Sequence, residues 1–168
     1  MFLIFISVAS IIICYKLGDW RNWRRYYPTI LFFILSSIAC AFLTYNHPLW
    51  LYHSTVINHT FTDLFITITV YPCTVMMFIS HLPNKITKII LHISIYVAAY
   101  TIGEFIAVKL GYFTYQNGWN IWYTLIFNYL MFPMLILHYK KPIYAWIIAI
   151  VSPHILFFIL KIPYSVMR

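Results

Sequence analysis

Apolar residues fill six stretches of this chain, and short breaks marked by proline, glycine or charge separate them. A helix needs about 20 apolar residues to cross a hydrocarbon core about 30 Å thick, with roughly 17 as the lower bound. The pattern predicts helices at Met1–Leu17, Thr29–Tyr45, Thr60–Ser80, Lys88–Leu110, Trp119–His138 and Ile143–Leu160. The breaks are too short to hold a separate soluble domain, so residues 1–168 read as one all-α transmembrane bundle of about six helices. The first stretch lacks the basic leader and small-residue cleavage site of a secretory signal. It is read as a span at the lower limit of length.

Composition sharpens this picture. Of the 168 residues 63% are hydrophobic and only 8% charged, where a soluble domain carries about 25% charged residues. That excludes a soluble domain, a disordered chain, a coiled coil, a disulfide-rich secreted scaffold and a soluble nucleic-acid binder. Cys14, Cys40 and Cys73 fall in three different apolar stretches and read as buried thiols packed as small hydrophobes.

Charge gives the orientation. Lys16, Arg21, Arg24, Arg25, Lys85, Lys88, Lys140 and Lys141 occupy the first, third and fifth breaks, against Lys109, Lys161 and Arg168 on the other side. Basic residues near helix ends are retained in the cytoplasm, so both termini are expected outside a plasma membrane. The cations and rings between Trp20 and Tyr27 suit the anionic lipids of an inner leaflet. A docking patch for a partner protein is the alternative use of that segment.

Inside the stretches, polar residues follow helical spacing. Thr60, Asp63, Thr67, Tyr71 and Thr74 share one face of the third helix, and His92, Tyr96, Tyr100 and Glu104 recur every four residues in the fourth. Beside the second stripe runs a small-residue ladder, Ala99, Gly103, Ala107 and Gly111, of the kind that admits another helix. Tyr71-Pro72 and Phe132-Pro133 free backbone carbonyls that need partners, which predicts kinks facing inward.

An ionisable residue within a span is a functional candidate by default. Counting about 1.5 Å per residue from the outer helix ends puts Asp63 ~4.5 Å deep, Glu104 and His154 ~9 Å, and Asn128 ~13.5 Å. The four come from four helices and are expected to line one polar pocket, with Tyr100 in its wall and Trp119 and Trp122 near its mouth. Equal depth further predicts that Glu104 and His154 face each other. Read structurally, Asn128 and the hydroxyls are interhelical hydrogen-bonding glue. His47, His53 and His59 share an outer break, and His59 with Asp63 has the spacing of two ligands on one helix face, a weak metal signal without a recognised motif. No metal or other cofactor is expected.

The strings Tyr26-Tyr27-Pro28-Thr29-Ile30-Leu31-Phe32, Leu43-Thr44-Tyr45-Asn46-His47-Pro48-Leu49-Trp50, Asn117-Gly118-Trp119-Asn120-Ile121-Trp122-Tyr123 and His138-Tyr139-Lys140-Lys141-Pro142 resemble a family of small multi-helix membrane proteins of spore-forming Firmicutes. The resemblance covers most of the chain from Trp20 to Pro142. It implies a bacterial plasma-membrane protein and supplies no activity. Glu104 matches an intramembrane acid of that family, whereas Ser36-Ser37 and Asn128 stand where a Gly-Asp pair and an Asp are expected. If the acids of relatives hold a proton or cation, part of that set is neutral in this chain.

The expectation is therefore a membrane protein whose outward polar pocket binds a small solute or ion, for transport or sensing. An enzyme acting on a lipid or isoprenoid, with Glu104 and His154 as acid and base, is the second reading, and a structural or assembly subunit the third. Assembly with copies of itself or with other membrane proteins is compatible with each. Orientation is directly testable: a cysteine placed at Asn84 or beside Lys140 should resist an impermeant thiol reagent in intact cells, while Ser54→Cys should react. The opposite labelling pattern would invert the topology.

Overall fold

A computed structural model describes residues 2–54, 57–160 and 162. In chain order these form α1 (Phe2–Leu17), a 3-10 turn (Trp20–Asn22), α2 (Trp23–Leu43), β1 (Trp50–Tyr52), α3 (His59–Ser80), α4 (Ile86–Lys109), β2 (Phe113–Tyr115), α5 (Ile121–Lys140) and α6 (Pro142–Ile159). The all-α bundle is borne out, and the five helices after α1 are long and apolar enough to cross a membrane. Lys161 and Arg168, which belong to the sparsely charged side, lie outside the described residues.

Local chemistry sets the helix starts. Asn58 accepts from the Phe61 amide at 2.9 Å, and Asn120 from those of Trp122 and Tyr123 at 3.0 and 3.3 Å. Each satisfies amide groups that a helix start leaves without partners. α2 begins six residues before the expected Thr29. Pro28 is accommodated inside it, near the basic end, where water can satisfy the one carbonyl it leaves unbonded. Tyr26 anchors this early turn, buried, stacked on Tyr139 at 6.2 Å and donating to Asp19 at 2.7 Å.

Half of α3 is buried but only 6% of α4, which makes α3 the centre of the bundle. It packs on α1, α2, α5 and β1, while α4 and α6 flank α5. Phe78 on α3 sits 4.9 Å from both His92 and Phe132. The His92 Nε2 donates to the Phe78 carbonyl at 2.9 Å, one of the last carbonyls of α3. The stripe that starts at His92 thus faces the interior, as its spacing predicts. Around the perimeter Ile90, Leu91, Ile95, Ile102, Ile147 and Ile150 are exposed, a surface suited to hydrocarbon.

Nothing in the hydropathy pattern signals the two short strands. Trp50, Leu51 and Tyr52 pair antiparallel with Tyr115, Thr114 and Phe113, and bonds from Gln116 to the Leu49 carbonyl at 2.8 Å and from His53 to that of Tyr112 at 2.9 Å extend the ladder. This clasp joins the α2–α3 and α4–α5 connections at one end of the bundle. The basic breaks meet at the other.

The small-residue ladder needs correction. A Cβ at Gly103 would meet nothing within 4 Å and Ala99 is exposed, so among the described residues only the Ala107 end of the ladder is covered. Gly111 serves a different purpose. At φ +76° it closes α4, with its amide bonded to the Val108 carbonyl at 3.0 Å and the Tyr112 amide to that of Ala107 at 2.9 Å, a Schellman motif that favours glycine. Pro133 is also exposed rather than inward, because the preceding Phe132 takes the buried position.

The tight glycine is Gly18, where a Cβ would lie 2.5 Å from the Cys14 carbonyl oxygen and 2.9 Å from Met76 Sδ. Gly18→Ala should therefore destabilise the bundle by about 1–3 kcal/mol. Gly103→Ala should be neutral or stabilising by about 0.5–1 kcal/mol, because a helix interior favours alanine. Unfolding in detergent measures both, and the reverse ranking would mean that the ladder is packed.

Candidate functional site

At the clasp end, α4 carries Glu104 little more than a turn from its terminus at Lys109. Its Oε1 accepts from the Tyr115 hydroxyl at 2.9 Å and from Thr124 Oγ1 at 2.6 Å. Thr124 in turn accepts from the indole Nε1 of Trp119 at 2.9 Å. Trp119 and Thr124 are buried, and a chain of donors ending on one carboxylate oxygen is strengthened by such surroundings. Burial, and then the charge of Glu104, hold the Tyr115 phenol above its ordinary pKa, so it stays protonated and donates.

The partner strand brings a second phenol. The Tyr52 amide donates to His59 Nδ1 at 3.0 Å, and the two rings stack at 5.6 Å. Desolvation raises the Tyr52 phenol well above its ordinary pKa, and Tyr71, Asp63, Glu104 and Tyr100 push it further the same way. Asp63 on α3 and Glu104 on α4 are therefore both within electrostatic reach of one hydroxyl. Tyr100 completes the group. Because Thr74 Oγ1 donates to the Val70 carbonyl at 2.9 Å, it accepts from the Tyr100 hydroxyl at 2.6 Å.

The remaining sequence candidates divide. Asn128 is buried and donates to Thr101 Oγ1 at 3.3 Å, tying α5 to α4. His154 is exposed on α6, a helix that packs against α5, and the carboxylate expected to face it is held by Tyr115 and Thr124 instead. Trp119 lies in the core of the clasp end, whereas Trp122 is 71% exposed, so the two do not share a vestibule. Cavities of about 350 and 380 Å³ occur toward the basic end, and neither is lined by Asp63, Glu104, Asn128 or His154.

His59 spends its Nδ1 lone pair on the Tyr52 amide, and among the described residues no three His, Cys, Asp or Glu side chains gather as metal ligands. Ser37 Oγ lies 3.3 Å from Thr67 Oγ1 across α2 and α3. The Ser36 hydroxyl is buried with no hydrogen-bond partner among the described residues.

Comparison with protein-family models, curated proteins and solved structures finds no match to this chain. What the site can do must follow from its own chemistry. It holds two carboxylates among phenols and hydroxyls, suited to a proton, a cation or a small solute bearing one. Sequence reasoning misses Thr124, although Asn120, Thr124 and Asn128 recur every four residues. Tyr52 and Tyr115 carry no signal that separates them from ordinary interfacial aromatics.

Thr124 both donates to Glu104 and accepts from Trp119. Thr124→Val should leave both partners short and cost about 1–3 kcal/mol, while Trp122→Phe should stay within about 0.5 kcal/mol of the wild type. Equal effects in chemical unfolding would contradict the network.

Proposed function

We propose that this chain is a multi-pass protein of the bacterial plasma membrane, with both termini outside, whose clasp end binds a small cation or cation-bearing solute for transport or sensing. The observation that carries this reading is a pair of acids at the clasp end on different helices, Glu104 held by Tyr115 and Thr124 and Asp63 one turn along α3 from His59, which takes the Tyr52 amide. A carboxylate inside a span needs a proton or a counter-charge. Among the described residues neither acid forms an ion pair, and Lys109, the described cation of that end, lies over the Phe105 ring at 5.5 Å. The Glu104 Oε2 and the Asp63 carboxylate also make no hydrogen bond among the described residues, which leaves oxygens for a ligand.

A structural role is favoured by a different observation, the ties from Tyr115 and Thr124 to Glu104 and from Asn128 to Thr101. Amide substitutions separate the two readings, because the carbonyl oxygen introduced by Glu104→Gln would still accept from both hydroxyls but carry no charge. In detergent, at constant ionic strength balanced with N-methylglucamine, at least one of sodium, potassium or tetramethylammonium should raise the wild-type Tm by about 3 °C. Asp63→Asn and Glu104→Gln should each abolish that gain. A wild type insensitive to all three ions, or a Glu104→Gln protein with the full gain, would leave the structural role.

A further inference from the structure

The opposite end of the molecule holds a cleft of its own. Where the basic breaks meet, α2, the end of α3, the α3–α4 connection and the end of α5 border an open cavity of about 350 Å³, lined by Ser80, Tyr139 and the exposed Arg25, Asn84 and Lys140 among others. That volume is at the lower end of the range for small-molecule sites. Among the described residues the side chains of Arg25, Asn84, Tyr139 and Lys140 form no hydrogen bond or ion pair. Four side chains able to donate, two of them cationic, thus line one space without hydrogen bonds to one another. Asp19, the carboxylate of this end, is close enough for the Arg25 charge to act on it, but it takes its hydrogen bonds from Asn22 at 2.9 and 3.1 Å and from Tyr26 at 2.7 Å. The cavity walls are fixed by Tyr26, which is buried and stacks on Tyr139.

We propose that this cavity binds a phosphate group, with the Arg25 guanidinium and Lys140 ammonium on its charge and the Tyr139 hydroxyl and Asn84 amide on its remaining oxygens. A guanidinium fork and a flexible ammonium match the geometry and charge of phosphate oxygens, and one phosphate presents enough acceptors for all four donors. The site is independent of the acids at the clasp end. Its charge pattern agrees with that expected of loops facing an anionic leaflet, and the cavity narrows that general attraction to one place. The phosphate belongs either to a lipid headgroup or to a free phosphate in solution.

Three proteins decide the matter: the full-length wild type, Arg25→Gln with Lys140→Gln, and Arg24→Gln with Lys141→Gln. The last pair removes equal charge outside the cavity, where Arg24 lies over Trp23 at 5.9 Å and Lys141 over Tyr144 at 5.8 Å. Thermal melting in neutral detergent is followed with inorganic phosphate, with phosphatidylglycerol and with diacylglycerol. The wild type and the outer pair should be stabilised by phosphatidylglycerol, by inorganic phosphate or by both, and the cavity pair should bind the same probe at least about tenfold more weakly. Tyr139→Phe, which keeps the ring stack, should show a smaller loss of the same kind. A response to phosphatidylglycerol alone assigns the phosphate to a lipid headgroup, and a response to inorganic phosphate assigns it to a free anion, both within the proposal. Equal weakening in the two charge-removed pairs would reduce the effect to diffuse surface charge and overturn it. So would an equal response to diacylglycerol, or no response in the wild type.

Discussion

A carboxylate carried inside an apolar helix must be met by donors, and the bonds from Tyr115 and Thr124 to Glu104 are where this chain meets that demand. Much of the clasp end is organised around them. Tyr115 reaches Glu104 because Gly111 turns the chain sharply at the end of α4 and β2 then runs back across the bundle. β2 is held in turn by β1, whose Tyr52 rests on His59 at the start of α3. The strands are only three residues long, too short to stand alone in water. Their role is to join two loops above a half-buried acid.

The two ends of the molecule have opposite chemical character. One gathers Asp63, Glu104 and their phenols beneath the clasp, and the other gathers Lys and Arg around Asp19. Between them lies an aromatic core in which Phe78, His92, Tyr96 and Phe132 touch in succession. Several polar groups within the spans are tied side chain to side chain across helices, as Thr74 to Tyr100 and Asn128 to Thr101. Hydrocarbon offers no competing water, so such ties set which helix faces meet.

Periodicity makes the helices legible, because a span must be apolar over a length the membrane fixes. It also places the stripes of α3 and α4 on the inside, except for Thr60 at the exposed start of α3. The start of α2 escapes it because Pro28 reads as a boundary, whereas the burial of Tyr26 outweighs one lost backbone bond. The strands are illegible because three residues carry no measurable repeat. The expected meeting of Glu104 and His154 rests on equal depth, and depth fixes only one coordinate. The direction in which a side chain leaves its helix is set by packing, and α6 packs against α5 with His154 on its exposed side. The same limit explains the ladder: spacing aligns Ala99, Gly103 and Ala107 on a face, but packing covers only Ala107 among them.

The contact between Tyr115 and Glu104 links the clasp to the half-buried acid, and the architecture of that end depends on it. A double-mutant cycle with Tyr115→Phe and Glu104→Leu, read by chemical unfolding in detergent, tests it most directly. The two changes should be coupled by about 1–3 kcal/mol, because each alone strands the other's polar group. Additivity within about 0.5 kcal/mol would mean that the strand does not deliver its tyrosine to the carboxylate, and the architecture described for this end would be wrong.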